Sequence, residues 1–399
     1  MSTACQVRVT GPLARYADGF RADLAGQGYV AGSADRNLRT MAHVSRWMQD
    51  RGLSAGQLSI ARLEEFLQAR RREGYHHALS IRAVMPLACY LRRAGVAAVP
   101  GEPAAGGALG FLAAQYCGYL VSERAVTAPV AGQYTRLARE FLAACGQPGP
   151  AGLSAAWVTD YVVAQCRGRP PGSAKFVVTA LRSLLRFLFL AGHTRCQLAS
   201  AVPAVAHWGA GSLPRALSPQ TVAALLASCD DATLAGRRDR AILALLARLG
   251  LRAGEVAGLE LGDLDWAAGE ISVRGKGSRR ERLPLPADVG EALVVYLHGG
   301  RPRRGCRSVF LRLNAPIEGL TVPAVTTVVY RACARAGLPR AGAHRLRHSA
   351  ASAMLAGGGT LTEVGQVLRH VRLGTTAIYA KIDQAALRDL ARPWPGGAA

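Results

Sequence analysis

His344-Arg-Leu-Arg347-His-Ser-Ala-Ala-Ser352 and, after a glycine-rich break, Leu368-Arg-His370-Val-Arg-Leu-Gly-Thr375-Thr376-Ala-Ile-Tyr379 are the stretches on which the reading of this chain turns. From His344 to Leu355 the pattern is helical, which places His344 and Arg347 one turn apart on the same face. Gly357 to Gly359 end that helix, and Thr360 with Glu363 forms the capping box of the next. Tyr379 falls on the helical turn after Thr375 and Thr376. The His-x-x-Arg pair alone carries little: nine histidines and 46 arginines would give about one by chance, and the chain has three. His43 with Arg46 and His298 with Arg301 are the other two, so only the surroundings separate them.

Working outward, Asp239 to Leu249 has apolar residues at Ile242, Leu245, Leu246 and Leu249, a helix closed by Gly250. A short helical piece around Glu255 to Leu259 follows. Glu270 to Val273 reads as a strand and Glu281 to Leu285 as its returning partner, with Lys276 at the tip of the hairpin between them. Helices thus dominate a segment that holds one small antiparallel sheet.

Composition bounds the function. The 399 residues suffice for two or three domains, and a net charge of +23 makes a large polyanion the expected partner. Half the residues are hydrophobic, which sets the chain apart from histone-like or ribosomal basic tails. Lys175, Lys276 and Lys381 are the only lysines among 49 basic residues. Nine cysteines form no Cys-x-x-Cys pair and have no histidine at zinc spacing, so they read as reduced thiols of a cytosolic protein with no metal site. Met1 to Thr10 has no apolar signal core, and Arg248 interrupts the longest apolar stretch; nothing predicts secretion or a membrane span.

Four boxes now stand in order: Gly250-Leu-Arg252-x-Gly-Glu255, a lysine in a β-turn, the His344-to-Arg347 box, and His370 followed by Thr-Thr-x-x-Tyr379. Over residues 212–390 the chain resembles the tyrosine recombinase (phage integrase) family. The resemblance implies that Tyr379 attacks the scissile phosphate of double-stranded DNA to give a 3′-phosphotyrosine and a free 5′-hydroxyl. Arg252 and Arg347 would clamp the non-bridging oxygens, for which a planar, permanently charged guanidinium is suited. Lys276 would protonate the leaving 5′-oxygen, because a lysine can give up a proton that an arginine holds. His344 would help move the nucleophile's proton, His370 would bond a phosphate oxygen, and Glu255 would orient this framework. His348 reads as structural. No cofactor is implied, since the phosphotyrosine ester conserves the bond energy.

One departure stands out. Arg369 occupies a position where many family members have glycine, which predicts a small geometric change or a phosphate contact without loss of activity.

The resemblance also implies an architecture: a mainly α-helical protein with a small antiparallel β-sheet in its catalytic domain, forming a C-shaped DNA clamp of core-binding and catalytic halves. Proline and glycine breaks at 97–110 and about 198–216 give three segments: 1–100, 108–200 as the helical core-binding domain, and 212–399 as the catalytic domain with a C-terminal tail helix. Segment 1–100 looks like a second copy of the next. Trp47 and Gly52 match Phe141 and Gly146 at an offset of 94, Phe66 matches Tyr161 at 95, and Gly95 matches Gly192 at 97. Each copy has a basic stretch (Arg70 to Arg72; Arg167 to Arg169), and the net charge is +6 over residues 1–110, +6 over 111–205 and +11 over the rest. A homo-tetramer on DNA, or a hetero-assembly with related recombinases, is the implied working state. Type IB topoisomerase-like relaxation and non-catalytic DNA binding are the competing functions, and the box order and intact residue set favour recombination.

Overall fold

The computed structural model describes residues 7–96, 107–146, 149–205, 216–275 and 280–369. Fifteen α-helices and one three-stranded sheet occur among them. They fall into two compact units, one bounded by Met1–Leu53, Tyr75–Tyr90 and Ser212–Ala399, the other by Ser54–Gly74 and Leu91–Gly211.

The larger unit is organised around α10 (Leu234–Arg248), where Ala241 through Ala247 are all buried. A helix that is apolar on every side needs neighbours on every side. Those neighbours are α9 (Pro219–Ala227), α11 (Ala253–Ala257), α12 (Ala287–Gly299), α13 (Val322–Arg335) and α14 (Ala343–Ala356). Thr233 starts α10 by accepting the Gly236 N–H at 3.0 Å, five residues ahead of the start that apolar periodicity predicts. The last helix of this unit among the described residues is α15 (Leu361–Val367), opened by Thr360 and Glu363 as its capping box predicts.

Strands β1 (Leu264–Asp265), β2 (Glu270–Arg274) and β3 (Arg280–Pro284) run antiparallel in that order. Ile271 pairs with Leu283 and Val273 with Glu281, so alternation puts Ile271, Val273 and Leu283 into the core. Arg274 and Arg280 close the ladder at the turn, and Lys276 between them lies outside the described residues.

The amino-terminal part of the same unit holds α1 (Ala17–Gly26), α2 (Ala31–Gln49) and α4 (Ile81–Arg93). Gln27, just past α1, accepts the Ile317 N–H at 2.8 Å.

The smaller unit contains α3 (Ile60–Arg72), α5 (Gly107–Ser122), α6 (Ala128–Ala144), α7 (Ala155–Cys166) and α8 (Pro171–Leu190). Val177, Val178, Leu181, Leu184, Leu185 and Leu188 form the buried stripe of α8, and Phe141 meets Trp157 and Tyr161 edge-on. Within the predicted break at about 198–216, Leu198, Ala199 and Val202, which precede its first proline, pack into this core.

Local conformations repeat along the two helical segments. Helix α2 leads to Gly52 at φ +62°, and α6 leads to Gly146 at φ +61°. Ser59 caps α3 through the Arg62 N–H, and Ser154 caps α7 through the Trp157 N–H, both at 3.2 Å. Helices α4 and α8 then end before Gly95 (φ +69°) and Gly192 (φ +75°).

Candidate active site

The site starts where α10 stops. Gly250 has φ +59°, and a Cβ there would sit 2.6 Å from Leu368 Cδ2 and 3.3 Å from Ala350 Cβ. Only glycine allows that turn and that approach together. The chain reverses through Leu251 into Arg252, which precedes α11 with extended backbone (φ −76°, ψ 150°).

Glu255, in the first turn of α11, folds back on Arg252. Its Oε2 accepts the Arg252 backbone N–H at 2.8 Å and its Oε1 accepts Arg252 Nη1 at 2.6 Å. A third donor arrives from far along the chain: Arg369 Nη2 reaches Glu255 Oε2 at 2.7 Å. The Glu255 and Arg369 side chains are 5% and 3% exposed, whereas that of Arg252 is 42% exposed. Burial pushes the Glu255 carboxyl up, but the Arg252 backbone N–H, the Arg369 guanidinium and the Arg252 side chain together hold it below the ordinary glutamate value. Glu255 is therefore ionised at neutral pH and shared by two arginines, one facing outward.

Helix α14 supplies the second box. His344 sits in its first turn and Arg347 one turn on, at 2% exposure. Arg347 Nη1 donates to Gly250 O at 2.5 Å, and Nη2 donates to Leu368 O. Its guanidinium thus ties the turn ahead of Arg252 to the end of α15. Burial first, then the positive Arg347 and Arg252, lower the His344 pKa, so its imidazole is neutral near pH 7 and can accept a proton. The His348 ring meets His344 edge-on with centroids 4.4 Å apart, and burial lowers its pKa too.

Arg369 is the residue whose role sequence reading misses. It takes φ +55°, in the left-handed region glycine prefers, at a conformational cost of about 1–2 kcal/mol. Its carbonyl lies 3.5 Å from Arg252 Nη2, Nη1 donates to Val367 O at 3.0 Å, and Nε stands 4.0 Å from Glu281 Oε2 on β3. The guanidinium is turned inward to Glu255, so in this structure it is no phosphate ligand. The only sequence signal was the arginine itself in a glycine position.

The structure brings Arg252, Glu255, His344 and Arg347 together from two boxes nearly a hundred residues apart. Lys276, His370, Tyr379 and the tail beyond lie outside the described residues. Among the described residues no cluster of three metal-ligating side chains occurs, and no helix is long and apolar enough to cross a membrane.

The family model described as "Phage integrase family" matches residues 215–386. The protein y4rA of Sinorhizobium fredii is 40% identical over 97% of this chain and 96% of its own length. Tyrosine recombinase XerD of Mycobacterium tuberculosis is 32% identical over 70% of this chain and 95% of its own length. Among solved structures, XerH site-specific recombinase bound to a palindromic difH substrate matches with a TM-score of 0.54 at 18% identity, covering 94% of this chain and 93% of that one. A lambda integrase dimer bound to a COC′ core site matches at 0.54 and 16% identity, over 85% of this chain and 89% of that one.

Proposed function

We propose, for a chain that belongs to the phage integrase family of tyrosine recombinases, a division of labour among seven of its residues. The chain is a site-specific DNA recombinase, and neither topoisomerase-like relaxation nor passive DNA binding is favoured beside such relatives. Tyr379 Oη forms the bond to phosphorus as the P–O5′ bond breaks, leaving a 3′-phosphotyrosine. The tyrosine proton passes toward neutral His344, and Lys276 hands one to the departing 5′-oxygen. Arg252 and Arg347 carry the charge that builds on the non-bridging oxygens, with His370 bonding one of them and Glu255 fixing Arg252. Attack of a 5′-hydroxyl on the ester reverses each step, through a Holliday junction, and needs no nucleotide or metal.

The observation that carries this reading is the convergence of an outward Arg252, a buried Arg347 and a neutral His344 on one spot. Duplex DNA is the substrate, and four protomers, alone or with related recombinases, hold two duplexes. Residues 108–200 serve as the core-binding domain, 212–399 as the catalytic domain whose tail helix docks a neighbour, and 1–100 as a second helical module derived from the first. The recurring local conformations of the two helical segments support that duplication. The protein works on nucleoid DNA in the cytoplasm.

Nicked duplexes tiled across the DNA flanking its own gene, incubated in EDTA, supply the test. A covalent adduct on one tile, lost in Tyr379→Phe, is the expected result. Adduct absent from every tile, or surviving the substitution, would overturn the assignment.

A further inference from the structure

We propose that Arg369 is a positioning residue: its inward guanidinium takes up part of the Glu255 charge, leaving Arg252 able to face a phosphate, and couples the Arg252 turn to the strand that follows the Lys276 loop. The proposal rests on the residue roles given above and adds one that the glycine of the family pattern could not fill.

Three observations carry it. First, Glu255 is almost wholly buried, and its two oxygens accept from both arginines. With Arg369 gone, the full carboxylate charge would fall on Arg252. A bidentate guanidinium–carboxylate pair draws both charges together, weakening the field that Arg252 presents outward and holding its donors on Glu255. Second, Arg369 keeps a left-handed backbone that an arginine does not choose unaided, so its surroundings impose it. Third, Arg369 Nε is buried with no hydrogen-bond partner and lies 4.0 Å from Glu281 Oε2 on β3. The N–H donors of a guanidinium point outward along different edges of its plane, so one residue can bond Glu255 with an Nη and approach Glu281 with its Nε. Arg369 therefore stands between the first arginine box and the hairpin whose turn carries Lys276, directly before His370 in sequence.

Arg369→Gly and Arg369→Met separate this role from a structural one. Glycine removes the guanidinium and relaxes the backbone; methionine removes the guanidinium and keeps the strain. Both are expected to slow Tyr379 adduct formation at saturating DNA by about tenfold or more, with DNA affinity changed less than about twofold, and Arg369→Lys to recover part of the rate. A structural role would make rate follow melting temperature, with glycine well ahead of methionine. Wild-type rates in Arg369→Gly, or rates that track melting, would overturn the proposal. A double-mutant melting cycle of Arg369→Met with Glu255→Gln, run without DNA, judges the ion pair separately; additivity there would also overturn it. Wild-type protein that forms no adduct on any tile would instead sink the residue assignment above, with the melting cycle still deciding the coupling of Arg369 to Glu255.

Discussion

Arg347, at 2% exposure, donates to the carbonyls of Gly250 and Leu368. Arg347→Ala leaves both oxygens without their charged donor, which should cost about 3–5 kcal/mol and show as a large fall in melting temperature. Arg347→Lys should melt closer to wild type while still losing adduct formation, because one ammonium cannot replace a planar fork. If lysine restored the reaction, the phosphate role of Arg347 would be wrong. His344 gives a second prediction. Its pKa is lowered from 6.5 by burial, Arg347 and Arg252, with His348 against its ring. The unfolded chain therefore binds a proton that the folded one refuses, so stability falls as pH drops below 6.5 toward the folded value. The acid limb of adduct formation should lie below that ordinary value and flatten in His344→Gln. At this scale the gathering of Arg252, Glu255, His344 and Arg347 was legible, because the boxes that hold them stand in an order that resembles the family's. Arg369 was not, since its partner stands 114 residues away and its backbone conformation follows from packing.

Among elements, those with a local signature matched the sequence reading. The alternation of Glu270 to Val273 gave β2, and the Thr360–Glu363 box gave the start of α15. Helix α10 came out longer at its start, at Leu234, because Thr233 caps a turn whose Leu234 is 52% exposed and whose Arg237 and Arg240 are polar, so apolar periodicity could not reveal it. Helix α15 has a consequence for the site, because the Leu368 carbonyl and Arg369 follow it directly. Thr360 accepts the Glu363 N–H at 3.2 Å. Thr360→Ala should cost about 1 kcal/mol, and fraying from that end should raise hydrogen exchange along α15. Adduct formation should slow beyond what that loss of stability predicts, since α15 aims Arg369 at Glu255. Unchanged exchange in α15 would show that packing of Val364 and Leu368 on Ala351 holds the helix without its cap.

For the whole molecule the question is how much of a +23 chain meets DNA. Phosphate contacts release counterions, so the logarithm of the binding constant should fall linearly with the logarithm of salt, by about 0.9 per phosphate neutralised. Each helical segment has an exposed basic pair at the matching place: Arg71 and Arg72 close α3, and Arg167 and Arg169 follow α7. If both segments lie on DNA, Arg71→Gln with Arg72→Gln should reduce the salt slope by about two, as should Arg167→Gln with Arg169→Gln. Neither pair should alter which sequence is cut, because contacts to the backbone position a protein without reading bases. Fluorescence anisotropy on one adduct-forming duplex across a salt series measures both slopes. A slope lowered only by the second pair would remove residues 1–100 from the DNA and leave subunit contact as their role.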